Sequence, residues 1–196
     1  MESINFMKID KTFNERYFSG KSLRKNMFLL LGNTLGNFAE GALLQSISDA
    51  MNQGDVLLVD NQLKKDGLLS SDEIMALKNI YSSEEEKRNV FAVLKKGNIF
   101  PIHGSVQQDT TNVFADSTLS GDDCIAVLQQ FRFKETTPIK IGEKTTRYQK
   151  GHIITLFYSK RYTKDALNRI VFEEVGFKKV DDFSTTEYAM LLCQKE

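Results

Sequence analysis

Met27-Phe-Leu-Leu-Leu-Gly-Asn-Thr-Leu-Gly-Asn-Phe38 joins the most apolar run of the chain to a loop of glycines and amides. Its first five residues are too few for a helix of their own and lack the alternation of a half-exposed strand. They predict a strand buried on both faces, as in a parallel sheet flanked by helices. Gly32 and Gly36 then permit backbone conformations and close approaches that a Cβ would forbid, while Asn33, Thr34 and Asn37 bring donors and acceptors. Open α/β sheets place their ligands at such loops, at the carboxyl ends of parallel strands. Asn37 has a second reading. Glu40 follows it by three residues, the spacing of an N-cap with its reciprocal partner, so the amide starts a helix, faces a ligand, or does both.

Working outward, Leu43, Leu44, Ile47, Ala50 and Met51 recur at helical spacing, with Gly54 as a stop. Val56 to Val59 form a second apolar run that closes at Asp60. Strand, helix and strand in this order predict a βαβ unit. Upstream, Ile4 to Ile9 has the alternating character of a short strand ending at Asp10, and Lys11 to Lys25 reads as loop with a turn of helix.

Downstream, Ser70 with Glu73 and Ser83 with Glu86 fit the capping box, predicting helices over 71 to 81 and 84 to 96. Their apolar faces are Ile74, Leu77 and Tyr81 in the first, and Val90, Phe91 and Leu94 in the second. Glu84 to Arg88 is the solvated face. From Asn98 to Asp122 periodicity vanishes, which predicts a long connection without structure of its own. His103 lies there with no Cys, Asp or His at ligand spacing, so no metal site is expected. In the last third, 124 to 133, 138 to 141 and 152 to 158 predict strands. Thr163 caps a helix carrying Leu167, Ile170 and Val171 that ends at Gly176, and Phe177 to Phe183 with Tyr188 to Cys193 form a final hairpin. A parallel βαβ core with antiparallel carboxyl-terminal strands makes the fold α/β, a combination that recurs in class I methyltransferases.

Composition restricts the partners. The 196 residues are 41% apolar and 27% charged, enough for one core and one domain over 1–196. Cationic and anionic side chains balance, 26 against 26, with no basic run, which argues against nucleic acid or an anionic membrane as partner. No stretch has the length of a membrane span. Cys124 and Cys193 both sit in apolar runs, as reduced core residues of a cytoplasmic protein do.

Leu31-Gly-Asn-Thr-Leu-Gly-Asn-Phe38, Gly54-Asp-Val-Leu-Leu-Val-Asp60 with Lys64, Tyr81, Ser159-Lys-Arg-Tyr-Thr163 and Glu174-Val-Gly-Phe177 occur in this order. Together they resemble the histidine-specific S-adenosylmethionine-dependent methyltransferases of the ergothioneine-biosynthesis type. The resemblance implies a partial class I methyltransferase-like, Rossmann-type sheet and a pocket for an amino-acid-like small molecule. It implies substrate contacts at Gly32, Asn37 and Tyr81, recognition of the substrate side chain by Phe157, Tyr158 and Ser159, and S-adenosylmethionine as cofactor with Asp10 near its adenine. No catalytic base is implied, since the charged sulfonium already activates the methyl group and positioning supplies the rest. Taken without the family, Tyr81 reads as a tyrosine at the edge of the core and Ser159 as a surface strand serine.

Two departures qualify the resemblance. Phe157 stands where the family has a carboxylate, and a phenyl ring cannot accept a hydrogen bond from an imidazole N–H, which argues against histidine as substrate. No G-x-G turn precedes Met27, and the roughly 25 residues ahead of it are too few for two βα units. The sequence therefore corresponds to the carboxyl-terminal half to two-thirds of such a domain, apparently truncated at its N-terminus. Three explanations stand open: truncation, a complementing chain or second copy that supplies the cofactor strands, or a non-catalytic binding or assembly module. Any of the three leaves the Met27 to Leu31 strand with an unpaired edge, which invites a partner.

Overall fold

A computed structural model describes residues 25–67, 69–112 and 119–196. The chain forms two compact units, the first from residues 1–67, 112–125 and 160–196, the second from 68–111 and 126–159.

The first unit is an α/β layer. Strand β1, Met27–Leu30, runs parallel to β2, Val56–Gln62, with Leu29 beside Leu58 and Leu30 beside Val59. Helix α1, Glu40–Ala50, connects them, so the expected βαβ unit is present. Its buried positions Leu43, Leu44, Ile47 and Ala50 are those that the spacing picked out. Asp55 ties the return to β2 together: its carboxylate accepts from the Asn26 and Asn52 N–H groups, each at 2.8 Å. Lys195 closes the far end of α1 by donating to the Met51 carbonyl at 2.9 Å, where a cation complements the helix dipole.

The carboxyl-terminal hairpin is also as expected. Strand β8, Lys178–Asp182, pairs antiparallel with β9, Tyr188–Gln194, and β9 pairs antiparallel with β2, giving the order β1-β2-β9-β8. The third to seventh strands of the chain belong to the other sheets. Thr163 accepts from the Ala166 N–H and starts α4, Lys164–Asn168, which widens into a π turn, Arg169–Glu174, before Gly176 at φ +82°. Leu57, Val59, Ala189, Leu191 and Cys193 face the apolar side of α1, together with Leu167, Ile170 and Val171. Burial pushes the thiols of Cys124 and Cys193 up to about 12, and both are free.

β1 is not buried on both faces. Met27 is 58% exposed and Leu29 51%, while Leu30 is buried. The reason is its place at the end of the sheet: among the described residues it pairs with β2 alone, and no described helix covers the face that Met27 and Leu29 share. Phe28, between them in sequence, packs half-buried on the core side.

The second unit begins with α2, Ser71–Ile80, and α3, Glu84–Lys96. Ser70 and Glu73 form the complete capping box, and Ser83 accepts from the Glu86 N–H. The stretch read as unstructured from Asn98 to Asp122 instead holds a 3-10 turn, Pro101–His103, and strand β3, Gly104–Thr111. Its sequence, Gly-Ser-Val-Gln-Gln-Asp-Thr-Thr, is too polar to show an apolar period. It is made a strand by its ladder to β4, Cys124–Phe133, in which Gln108 lies opposite Gln129. A short ribbon follows, β5 Thr137–Ile141 with β6 Lys144–Tyr148, and then β7, Ile153–Tyr162, which neighbours β4 in the order β3-β4-β7. The chain passes between the units within β4 and β7. Val90, Leu94, Ile99, Phe131, Phe133 and Ile139 form this unit's core.

Candidate functional site

The loop after β1 is built by three residues that tolerate unusual backbone or close contact. Gly32 takes φ +73° and Asn33 takes φ +59°, the left-handed region that glycine and asparagine enter most readily. A 3-10 turn, Thr34–Asn37, follows. Gly36 is required by space: a Cβ there would stand 2.3 Å from the Lys160 carbonyl oxygen and 2.9 Å from its nitrogen.

Asn33 fastens this loop to its surroundings. Its N–H donates to the Asp60 carboxylate at 3.2 Å, its side-chain amide nitrogen donates to the Lys160 carbonyl at 3.2 Å, and its amide oxygen accepts from the Gln62 N–H at 3.1 Å. One residue, through its main chain and its side chain, thus ties together the ends of β1, β2 and β7. Asp60, buried beneath the loop, also receives the Tyr188 hydroxyl; that hydrogen bond, with burial and the carboxylate's charge adding to it, raises the phenol to about 12. Lys64 is buried with its ammonium on the Lys65 and Gly67 carbonyls at 3.0 and 2.8 Å. Lys160 is buried in an ion pair with Glu40.

That ion pair corrects the capping expectation for Asn37. Helix α1 starts at Glu40, its N-cap is Ala39, and no side chain caps it. Glu40 therefore occupies the first helical position, where a carboxylate suits the dipole, and it faces Lys160 instead of reaching back. Asn37 is left half-buried on the 3-10 turn, and its Oδ1, shielded from water, has no hydrogen-bond partner among the described residues.

The remaining expected site residues lie in the second unit. Tyr81 is the C-cap of α2, and its carbonyl accepts from the Gln108 and Gln129 side-chain amides, each at 3.1 Å. Its ring lies 6.0 Å from that of Phe157 at an angle of 49°. Tyr158 follows on the opposite face of β7 and is half-buried. Ser159 is only 3% exposed, which overturns its reading as a surface serine. Gly32 and Asn37 thus share one loop, and Tyr81 and Phe157 form one aromatic pair. Asp10 lies outside the described residues.

Sequence reasoning saw Asn33 only as one of several polar loop residues and gave Lys160 no role. The first had a signal, because an asparagine after a glycine at a strand end is prone to positive φ. Lys160 had none, since a lysine in a run of Ser-Lys-Arg looks solvated.

S-adenosylmethionine calls for an open glycine turn and a free carboxylate at a strand end. The space beside Gly36 is filled by the Lys160 main chain, and Asp60 is committed to Asn33 and Tyr188. The described residues of this loop do not fit the cofactor.

No protein-family model matches the chain, and no curated protein matches it. Among solved structures it is similar to an S-adenosylmethionine-dependent methyltransferase from Clostridium acetobutylicum ATCC 824, at 9% identity and a TM-score of 0.41, over 98% of this chain and 63% of that one. It is similar to the CcbJ methyltransferase from Streptomyces caelestis at 8% identity and a TM-score of 0.36, over 91% and 65%. A third is an amino pentose methyltransferase from Micromonospora echinaspora, solved with S-adenosylmethionine bound, at 9% identity and a TM-score of 0.30, over 89% and 61%. The chain spans less than two thirds of the length of each of these proteins.

Proposed function

We propose that this chain is methyltransferase-like and holds an amino acid or a related small molecule at the loop after β1, with Gly32 and Asn37 as its contacts. The observation that carries this reading is the buried Asn37 amide oxygen, without a partner among the described residues, on a loop that Asn33 and Gly36 hold in place. The order of the motifs along the sequence supports it. The Phe157 ring beside Tyr81 offers no acceptor to an imidazole, so the histidine preference of the family is not part of the proposal. S-adenosylmethionine, on this reading, is bound by strands from a complementing chain or a second copy, and β1, which among the described residues pairs with β2 alone, offers the edge for it.

A second reading is a binding module without catalysis, favoured by the filled space beside Gly36 and the committed Asp60 carboxylate. Calorimetry separates the two. Titration with an amino-acid panel gives heat under both. S-adenosylhomocysteine gives heat under the first, either from the self-associated chain or once a complementing chain is present, and never under the second. Absence of heat from every amino acid, with and without partner, overturns both.

A further inference from the structure

Asn61 lies within β2 and is fully buried. Strand alternation puts it on the face of Leu57 and Val59, the face that the first unit packs with its apolar core, and Ala189 stands opposite it on β9. Its amide nitrogen donates to the Gln62 carbonyl at 2.9 Å, which fixes the other atom as the acceptor. That oxygen has no partner among the described residues. The Asn37 oxygen is in the same condition, on the 3-10 turn that packs against β2.

A buried amide oxygen with nothing to accept is costly, and an apolar side chain of the same shape would fill the position without that cost. The cationic side chains of this region are already engaged: the Lys64 ammonium donates to two carbonyls and the Lys160 ammonium to Glu40. Among the described residues, what remains unsatisfied on the loop and on β2 is acceptor capacity. The geometry points to Asn61, with Asn37, as acceptors for the N–H donors of the bound molecule, which is therefore recognised through an amine or ammonium group and not through an anionic one. This deepens the reading given above, on which it rests, by naming the recognised group and the residue that holds it.

Three probes isolate the amine: L-phenylalanine, phenethylamine, which lacks the carboxylate, and 3-phenylpropionate, which lacks the amine. Thermal unfolding of the full chain is followed with each, for the unaltered protein and for Asn61→Leu. The expected result is a rise in melting temperature with both amines and none with 3-phenylpropionate. Asn61→Leu should melt higher than the unaltered chain without ligand, because an unsatisfied polar group is gone, and should bind the amines about tenfold more weakly. Should Asn61→Leu fail to fold, Asn61→Asp, of the same shape, retains or strengthens the amine response. The inference is overturned if neither amine acts, if only 3-phenylpropionate does, if Asn61→Asp loses the amine response, or if Asn61→Leu melts lower with its amine response intact. That last outcome means that Asn61 is satisfied by internal water alone. The outcomes also separate this inference from the reading beneath it. Amine binding without methyl transfer in any assembled form leaves the inference standing and removes catalysis, whereas methyl transfer with an unchanged KM in Asn61→Leu does the reverse.

Discussion

The two units place their polar side chains in opposite ways. The first buries five charged residues, Glu40, Asp55, Asp60, Lys64 and Lys160, and the second buries no charged residue among those described. The second unit lays its polar groups out as a ladder on its sheet, where Arg132 donates to Gln107, Gln107 to Gln130 and Gln130 to Thr155, above a core of aliphatic and aromatic side chains. Burying charge opposes folding unless each group is paired, and an apolar replacement is often as stable. The first unit therefore carries a cost that a scaffold alone would not need, and three of the five, Glu40, Asp60 and Lys160, lie at the loop after β1. The contrast teaches where to look for a site: in the layer whose interior is polar.

The sharpest way to break the contrast is Lys160→Met. It takes the cation away from Glu40 in the interior and should cost about 3–5 kcal/mol in urea unfolding, while Lys160→Met combined with Glu40→Leu recovers most of the loss. The matched change on α3, Lys87→Met, breaks the exposed pair with Glu84 and should leave the unfolding midpoint where it was. Equal losses at the two places would erase the distinction between the units.

Gly36→Ala comes next. Its methyl meets the Lys160 main chain, which cannot move aside as a side chain could, and the expected destabilisation is about 1–3 kcal/mol with loss of amino-acid binding. In the second unit the matching local device is the Ser70 capping box, so Ser70→Ala should cost about 1 kcal/mol and leave binding intact. The smallest effect is one of pH. The hydrogen bond from Lys179, with a second from Ser184, lowers the Asp182 carboxyl from 3.8 to about 2. A depressed carboxylate contributes stability above its unfolded value, so this contribution is present at neutral pH and is lost as pH falls from about 4 through about 2. Asp182→Asn should flatten the melting temperature over that window.

Much of the first unit was legible because its signals are local. Gly54, the helical spacing from Leu43 to Met51 and the Thr163 cap each act within a few residues of themselves, as does, in the second unit, the capping box that starts α2. What the sequence concealed depends on distant partners. β3 is a strand only through its ladder to β4, and its Gln-Gln-Asp-Thr run shows no apolar period. β1 has the composition of a buried strand, yet Met27 and Leu29 are exposed, because exposure is decided by how many neighbours the sheet supplies and among the described residues β1 has one. At the candidate site, Gly32, Gly36 and Asn37 stood out by residue type. Lys160 and Asn61 did not, since the burial that makes a lysine or an asparagine informative belongs to the folded chain.

Side-chain amide NMR tests the central claim most directly. With the asparagine and glutamine NH2 signals assigned, the chain is titrated with L-phenylalanine. The account requires the signals of Asn33, Asn37 and Asn61 to move in step with one another while those of Gln107 and Gln130 stay fixed. Movement confined to the glutamines, or saturation with no change at the three asparagines, would contradict it.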